Sequence, residues 1–203
     1  MPTLSLQSKI VITGAAGLVG QNLLLLLREK GYRNAVAIDR HAENLAIAAQ
    51  LNPKLQTCCA DLAEAGEWQQ CFAGAEAVIQ LHAQITALHD DTFERNNIAA
   101  TQQVLAACRQ HKVPYLLHVS SSVLHSVADD AYTRTKREQE NLVKQSGIPQ
   151  CILRPTLMFG WFDRKHLGWL SRFMKKVPIF PIPGHGRYMR QPLYVGDFCN
   201  III

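Results

Sequence analysis

The sequence predicts an α/β fold, a doubly wound parallel sheet, on three observations. Six short apolar runs, at 9–13, 35–39, 55–60, 77–82, 115–120 and 150–154, each give way to a more polar segment with helical spacing. That alternation marks a parallel sheet covered on both faces. Three glycines, Gly14, Gly17 and Gly20, stand where the first run hands over to a leucine-rich segment, and Asp39 closes the second run.

Composition sets the bounds. A chain of 203 residues, 48% hydrophobic and 18% charged, is long enough for one core and has the make-up of a soluble globular protein. No apolar run approaches the ~20 residues that span a bilayer, and the first residues lack a basic region followed by an apolar stretch and a cleavage site. A cytoplasmic protein with no membrane partner is expected. The six cysteines show no C-x-x-C spacing and read as ordinary buried thiols. The eight histidines include no H-E-x-x-H, so no metal is expected.

Strand 9–13 runs into "TGAAGLVG" at 13–20. Glycine at a strand-to-helix turn permits a tight backbone, leaves room for a pyrophosphate and lets the helix pack on its strand. The N–H groups at the helix start then face the anion. The helix stops at Gly31, and strand 35–39 ends at Asp39, 19 residues beyond Gly20, near the ~20 expected of a ribose-binding acid. This is a Rossmann-type dinucleotide site. Asp39 would bond a ribose 2′-hydroxyl and repel a 2′-phosphate, favouring NAD over NADP; Arg40 beside it would instead suit that phosphate, and the lesser alternative for Asp39 is a strand-end turn residue.

Strand 55–60 carries the Cys58-Cys59 pair, which is expected to pack it, and the helical segment after it stops at Gly74. Strand 77–82 follows, then a helix near 94–112. Strand 115–120 holds His118, expected as a hydrogen-bonded core histidine, and runs into "HVSSSV" at 118–123. Serines there lie at the carboxyl edge, where ligands bind in open α/β sheets. "YTRTK" puts Tyr132 and Lys136 on one face of a helix near 131–146. A lysine ammonium close to a phenol lowers its pKa and makes a usable acid/base near neutral pH. Gly147-Ile148-Pro149 ends that helix before strand 150–154.

After Pro155 the rhythm changes, dividing the chain into a sheet domain, 1–155, and a partial substrate-binding region, 156–203. Gly160, Gly168, Pro178, Pro181, Pro183, Gly184 and Gly186 break it into loops and short elements. From Arg154 onward eight Lys/Arg stand against Asp163 and Asp197, within a net charge of +5. Aromatics do not interleave regularly with these charges, so a small anionic ligand suits the segment better than nucleic acid; a merely solvated basic face remains the alternative. Trp161 and Trp169 are expected in core or lid packing, and Asn200-Ile201-Ile202-Ile203 reads as an unfinished helix.

Taken in order, TGAAGLVG, Asp39, "ADL" at 60–62, "VIQLHA" at 78–83, "NIAAT" at 97–101, "VSSS" at 119–122, YTRTK, "LRPTLMFG" at 153–160 and "RQPLYVGD" at 190–197 resemble the extended short-chain dehydrogenase/reductases. The likeness is to their NAD-dependent sugar-nucleotide epimerase/dehydratase group. It implies that Gly14, Gly17 and Gly20, with Ala16, Leu18 and Val19, meet the pyrophosphate. It puts Asp39 and Arg40 at the adenosine ribose, and Asp61 and Leu62 at the adenine. Leu81, His82, Ala83, Asn97, Val119 and Pro155 complete the implied cofactor contacts. Tyr132 would be the catalytic acid/base, Lys136 would hold the nicotinamide ribose, and Ser121 would be the catalytic hydroxyl, with Ser122 as its alternative. Ser121, Ser122, Thr156 and Arg190 would meet the substrate, the arginine on its diphosphate.

His82 stands where the family usually has a small residue, the stretch from Ser121 to Tyr132 is short, Thr156 replaces a frequent asparagine, and family members usually continue past residue 203. The resemblance implies a homodimer and an enzyme that epimerises or dehydrates a nucleotide-linked sugar through a transient ketone. Two alternatives keep the dinucleotide site: a dehydrogenase/reductase of a steroid-like or flavonoid-like substrate, and a non-catalytic NAD-binding protein.

Overall fold

The computed structural model describes residues 4–177, 179–182, 184–187 and 189–203. Pro178 and Pro183, expected to break the chain, lie outside the described residues. Strands β1 (Ile10–Thr13), β2 (Ala35–Asp39), β3 (Gln56–Cys59), β4 (Ala77–Gln80), β5 (Leu116–Val119) and β6 (Gln150–Leu153) form one sheet in the order β3-β2-β1-β4-β5-β6. Every pairing in it is parallel. The order reverses at β1, and this doubly wound arrangement leaves a crevice at the carboxyl ends of the strands.

The strands alternate their side chains between two cores. Ile10, Ile12, Ala37, Ile79, Leu117 and Val119 face Leu23, Leu24 and Leu27 of α1 (Leu18–Glu29), Leu45 of α2 (Ala42–Leu51) and Phe198 of the C-terminal helix. Val11, Val36, Ile38, Val78 and Leu116 face the other way. They pack on Trp68 and Phe72 of a 3₁₀ turn (Glu67–Phe72), on the helix bearing Val104, and on Val143 further along. A strand covered on both faces needs apolar side chains at every position, which is why these runs read as continuous rather than alternating.

Helix α3 (Asp90–Phe93) continues through a π-helical stretch (Glu94–Ala99) into α4 (Ala100–Gln110). One regular helix was expected near 94–112; the wide turn instead carries Asn97 inward, where it is fully buried. α5 (Ala131–Lys144) starts at Asp130, whose Oδ1 accepts from Thr133 N at 2.7 Å, and its C-terminal stop is followed by Gly147 at φ +74°. That left-handed backbone is what a glycine C-cap supplies. Beyond β6, a two-stranded parallel pair of β7 (Leu157–Phe159) and β8 (Pro192–Tyr194) flanks α6 (His166–Met174), and α7 (Val195–Ile202) packs on α1.

The expectations for the cysteines and for His118 change. Of the cysteines, Cys108 and Cys199 are buried, while Cys58, Cys71 and Cys151 are half-buried and Cys59 is exposed; β3 lies at the edge of the sheet, and three of its four residues are exposed. Of the core or lid packing expected for the tryptophans, the core is excluded: Trp161 is 74% exposed and Trp169 is 56% exposed, the latter stacked on Phe173 at 5.3 Å. His118 is buried, yet neither ring nitrogen has a hydrogen-bond partner among the described residues.

Candidate active site

All six strands of the large sheet deliver residues to one cavity of about 810 Å³ at their carboxyl ends. Gly14 follows β1, Asp39 ends β2, Asp61 and Leu62 follow β3, and Leu81, His82 and Ala83 follow β4. Val119 and Ser121 come from the end of β5, and Pro155 and Thr156 follow β6. Backbone bonds from Ser120 N to Leu153 O (2.7 Å) and from Ser122 N to Pro155 O (3.0 Å) lock the last two ends together.

The glycine turn fits a dinucleotide. Gly14 has φ +70°, and a Cβ there would meet the His82 nitrogen at 2.6 Å. At Gly17 the nearest obstacle to a Cβ is the Gly14 carbonyl at 3.3 Å, and the position otherwise opens to the cavity. A Cβ at Gly20 would press into the Ala15 backbone, so this glycine seats α1 on its turn. No described side chain caps α1, which leaves its first-turn N–H groups free to face an anion. Asp39 is buried, with Oδ2 accepting from Ala16 N (2.9 Å) and Oδ1 from His41 N (3.0 Å). The acid therefore ties the end of β2 to the glycine turn as well as lining the cavity.

Ala16, Leu18 and Val19 line the cavity beside those glycines. Arg40 also lines it, with its guanidinium bound to Asn96 Oδ1 (2.9 Å) and Gln84 Oε1 (3.0 Å). Burial pulls the Asp61 carboxyl up, but the Ala63 N–H and the Arg95 guanidinium at 2.6 Å outweigh it and hold it below the usual range. Asn97 is the exception among the expected cofactor contacts. Its side chain turns away from the cavity, accepting from Gln84 N at 2.7 Å and donating to Thr135 Oγ1 at 3.0 Å, so it braces the wall from behind. Asn96, its neighbour on the π-helical stretch, lines the cavity instead.

Ser121, Tyr132 and Lys136 line the same cavity. Burial pushes the Tyr132 phenol up; the Ser121 side chain pulls it down, Asp130 adds to the rise, and the net direction is up. Lys136 was expected to depress this pKa. Its Nζ donates instead to Val119 O (3.0 Å) and Gln139 Oε1 (2.5 Å), and burial lowers the ammonium to about 7 against an opposing pull from Glu140. His82 is lowered to about 3 by burial and by the Lys136 charge, so its imidazole is neutral.

Ser122, Thr156 and Arg190 share the cavity, as expected. Sequence reasoning missed other lining residues: His41, Asn44, Gln84, Ile85, Met158 and Phe162. His41, Gln84, Ile85 and Phe162 lie between elements, Asn44 on the first turn of α2 and Met158 in the short β7, and no spacing rule from a glycine or strand end reaches them. Among the described residues no helix is long and apolar enough to cross a membrane.

Relatives are of two kinds. A 4-hydroxy-2-methyl-3-oxo-4-farnesyl-3,4-dihydroquinoline-1-oxide ketoreductase of Stigmatella aurantiaca is 27% identical over 93% of this chain and 61% of its own length. A ceramide reductase of Caulobacter vibrioides is 25% identical over 85% of this chain and 53% of its own length. The chain thus spans roughly half to three-fifths of these two relatives. Among solved structures, MoeE5 in complex with UDP-glucuronic acid and NAD is 25% identical, with a TM-score of 0.80 over 96% of this chain and 71% of that one. Residues 10–203, which carry the whole sheet and every residue of the cavity, match the model of one family, and the chain belongs to it: the NAD dependent epimerase/dehydratase family.

Proposed function

We propose that this chain works as an NAD-dependent epimerase or dehydratase of a nucleotide-linked sugar, through a transient ketone. The supporting observation is that Ser121, Tyr132 and Lys136 open into the same cavity as the glycine turn and Asp39, with Arg190 on its wall. The turn would hold the pyrophosphate, Asp39 the adenosine ribose, and Asp61 with Leu62 the adenine. Arg190 would take the substrate diphosphate bidentately. The bound nicotinamide supplies the hydride acceptor and donor.

The chain's own residues handle the proton. Ser121 holds the substrate oxygen, and the Tyr132 phenol oxygen takes the hydroxyl proton and returns it. With Tyr132 raised by burial, the Lys136 charge is needed nearby when the phenolate forms. Asp39 favours NAD over NADP, and the Arg40 guanidinium is already engaged by Asn96 and Gln84. A homodimer through 94–112 and 131–146, in the cytoplasm, and a division of the chain at residue 155 belong to the same proposal.

A second reading is a reductase of an apolar carbonyl compound. Ile85, Val123, Leu157, Met158 and Phe162 give the cavity an apolar wall, and the names of both curated relatives describe reduction of lipid-like molecules. Product analysis separates the two. Incubation with NAD and a panel of UDP- and dTDP-sugars is expected to give redox-neutral products without net NADH. Stoichiometric NADH consumption with a lipid ketone, and none of those products, would establish the second reading. Tyr132→Phe is expected to cut turnover by at least about 100-fold while sparing NAD binding; unchanged turnover would overturn the catalytic assignment in either reading.

A further inference from the structure

Beneath the cavity lies a buried chain of polar side chains drawn from four elements and the turn after β4, of which only Lys136 enters the proton transfer described above. Lys136 Nζ donates to Gln139 Oε1 at 2.5 Å, and Gln139 Nε2 donates to Thr101 Oγ1 at 2.8 Å. Gln80 Nε2 also donates to Thr101 Oγ1, at 2.8 Å. Thr101 Oγ1 is 3.4 Å from His82 Nε2, and His82 Nδ1 is 2.9 Å from Thr13 Oγ1. Thr13, Gln80, Thr101, Lys136 and Gln139 are all at most 1% exposed.

The direction of each bond follows from chemistry. An ammonium only donates, so the oxygen of the Gln139 amide faces Lys136 and its nitrogen faces Thr101. Thr101 Oγ1 then accepts from two amides, and its single hydrogen is left for His82 Nε2. That makes Nδ1 the protonated nitrogen of a neutral imidazole, donating to Thr13. The run from Lys136 to Thr13 is therefore unbroken donor to acceptor, and it fixes the Gln139 amide in one orientation. Val119 O takes a second Lys136 proton, which leaves one N–H of the ammonium for the cavity.

We propose that Gln139 is the positioning residue of Lys136: its amide, oriented by Thr101 and His82, holds the ammonium protonated and aims its remaining N–H into the cavity. This rests on the functional reading above for its consequence but not for its test. The buried ammonium needs such an acceptor, since a desolvated charge without one reverts to the neutral amine. The titratable groups around Lys136 are Glu140 and Tyr132 on its own helix, His82 after β4 and His118 on β5. Of these, Glu140 supports the charge, whereas His82 and His118 are themselves disfavoured as cations by it.

The test is the titration of Lys136 in the whole protein, read by NMR from ¹³C-labelled lysine, its signal assigned by loss in Lys136→Arg. In the wild type the midpoint is expected at about 7. Gln139→Glu keeps the acceptor and adds a charge, so the midpoint moves up by about 1–3 pH units. Gln139→Met keeps the shape and removes the acceptor, so it moves down by about one pH unit. A purely structural role would shift both variants the same way or neither, and either result overturns the proposal. If Gln139→Met does not fold, Gln139→Ala, which also removes the acceptor, replaces it with the same downward shift expected. NAD affinity, read by protein fluorescence at pH 7, where the wild-type lysine is about half protonated, is expected to fall in Gln139→Met and to hold or rise by up to about twofold in Gln139→Glu. Absence of any turnover would sink the functional reading while leaving the Lys136 titration, and so this proposal, intact.

Discussion

Glu140 sits one turn beyond Lys136, with its side chain only 2% exposed and both carboxylate oxygens held by Arg154, while Lys144 reaches Oε1 at 2.7 Å. The Arg154 hydrogen bonds, joined by Lys144 and Ser120 and opposed by burial, lower this carboxyl from 4.5 to about 2. Because the folded-state value is depressed, the stabilisation is fully present above 4.5 and is lost as pH falls toward 2. Glu140→Gln is expected to cost about 2 kcal/mol at pH 7, or about 4–8 °C in Tm, with a difference from wild type that shrinks below pH 4.5. Thermal unfolding across pH 2–7 checks this, and a constant difference would show that Glu140 acts by packing alone. At this scale the sequence revealed residues at fixed distance from a landmark: Asp39 after the glycines, Lys136 four after Tyr132, Ser121 at a strand end. It did not reveal the Thr13–Gln80–His82–Thr101–Gln139 network, because those residues lie far apart in the chain and only the sheet order brings them together. His82 stood out in the sequence as an unusually large residue, and the structure gives the reason, a ring held between two threonines.

The junction of β1 and α1 separates two uses of glycine that look alike in the sequence. Gly20 faces the Ala15 backbone, whereas Gly17 faces the cavity. Gly20→Ala is therefore expected to destabilise the fold by about 1–3 kcal/mol through overpacking. Gly17→Ala should leave stability within about 0.5 kcal/mol, since its φ of −81° suits any residue, yet weaken NAD at least tenfold, about 1.4 kcal/mol. Denaturant unfolding and NAD titration of both variants are the checks, and a stable Gly20→Ala that binds normally would remove the packing argument. The strands were legible at this scale because a doubly covered strand must be apolar throughout; β2 matches its expected span, and the others differ from theirs by one or two residues at an end. The π-helical stretch at Glu94–Ala99 was not, since its apolar spacing resembles that of an α-helix and only the inward turn of Asn97 distinguishes it. β7 and β8 were also hidden, three residues each among glycines and prolines and paired across more than thirty residues of sequence.

At the scale of the whole molecule, the cavity draws on every strand of the large sheet, so a ligand filling it touches elements that otherwise meet only through the core. In the proposed function the pyrophosphate would rest on β1 and α1, the adenosine on β2 and β3, and the nicotinamide on β5, β6 and α5, whose residues all line the cavity. A molecule bound to all of these in the folded state and to none of them in the unfolded chain stabilises the fold by mass action, by about 2.7 kcal/mol at one hundred times its Kd. For a chain of this size that corresponds to roughly 5–10 °C in Tm. NAD at saturating concentration is expected to produce a rise of that order. NADP at the same concentration should give a smaller one, because its 2′-phosphate would approach the Asp39 carboxylate. Asp39→Ala should narrow the gap between the two cofactors, but at a cost to the protein alone, since it also removes the bonds to Ala16 N and His41 N that brace the turn. Equal shifts with NAD and NADP in the wild type would move the discriminating role from Asp39 to Arg40, whose guanidinium would then have to leave Asn96 and Gln84 for the phosphate.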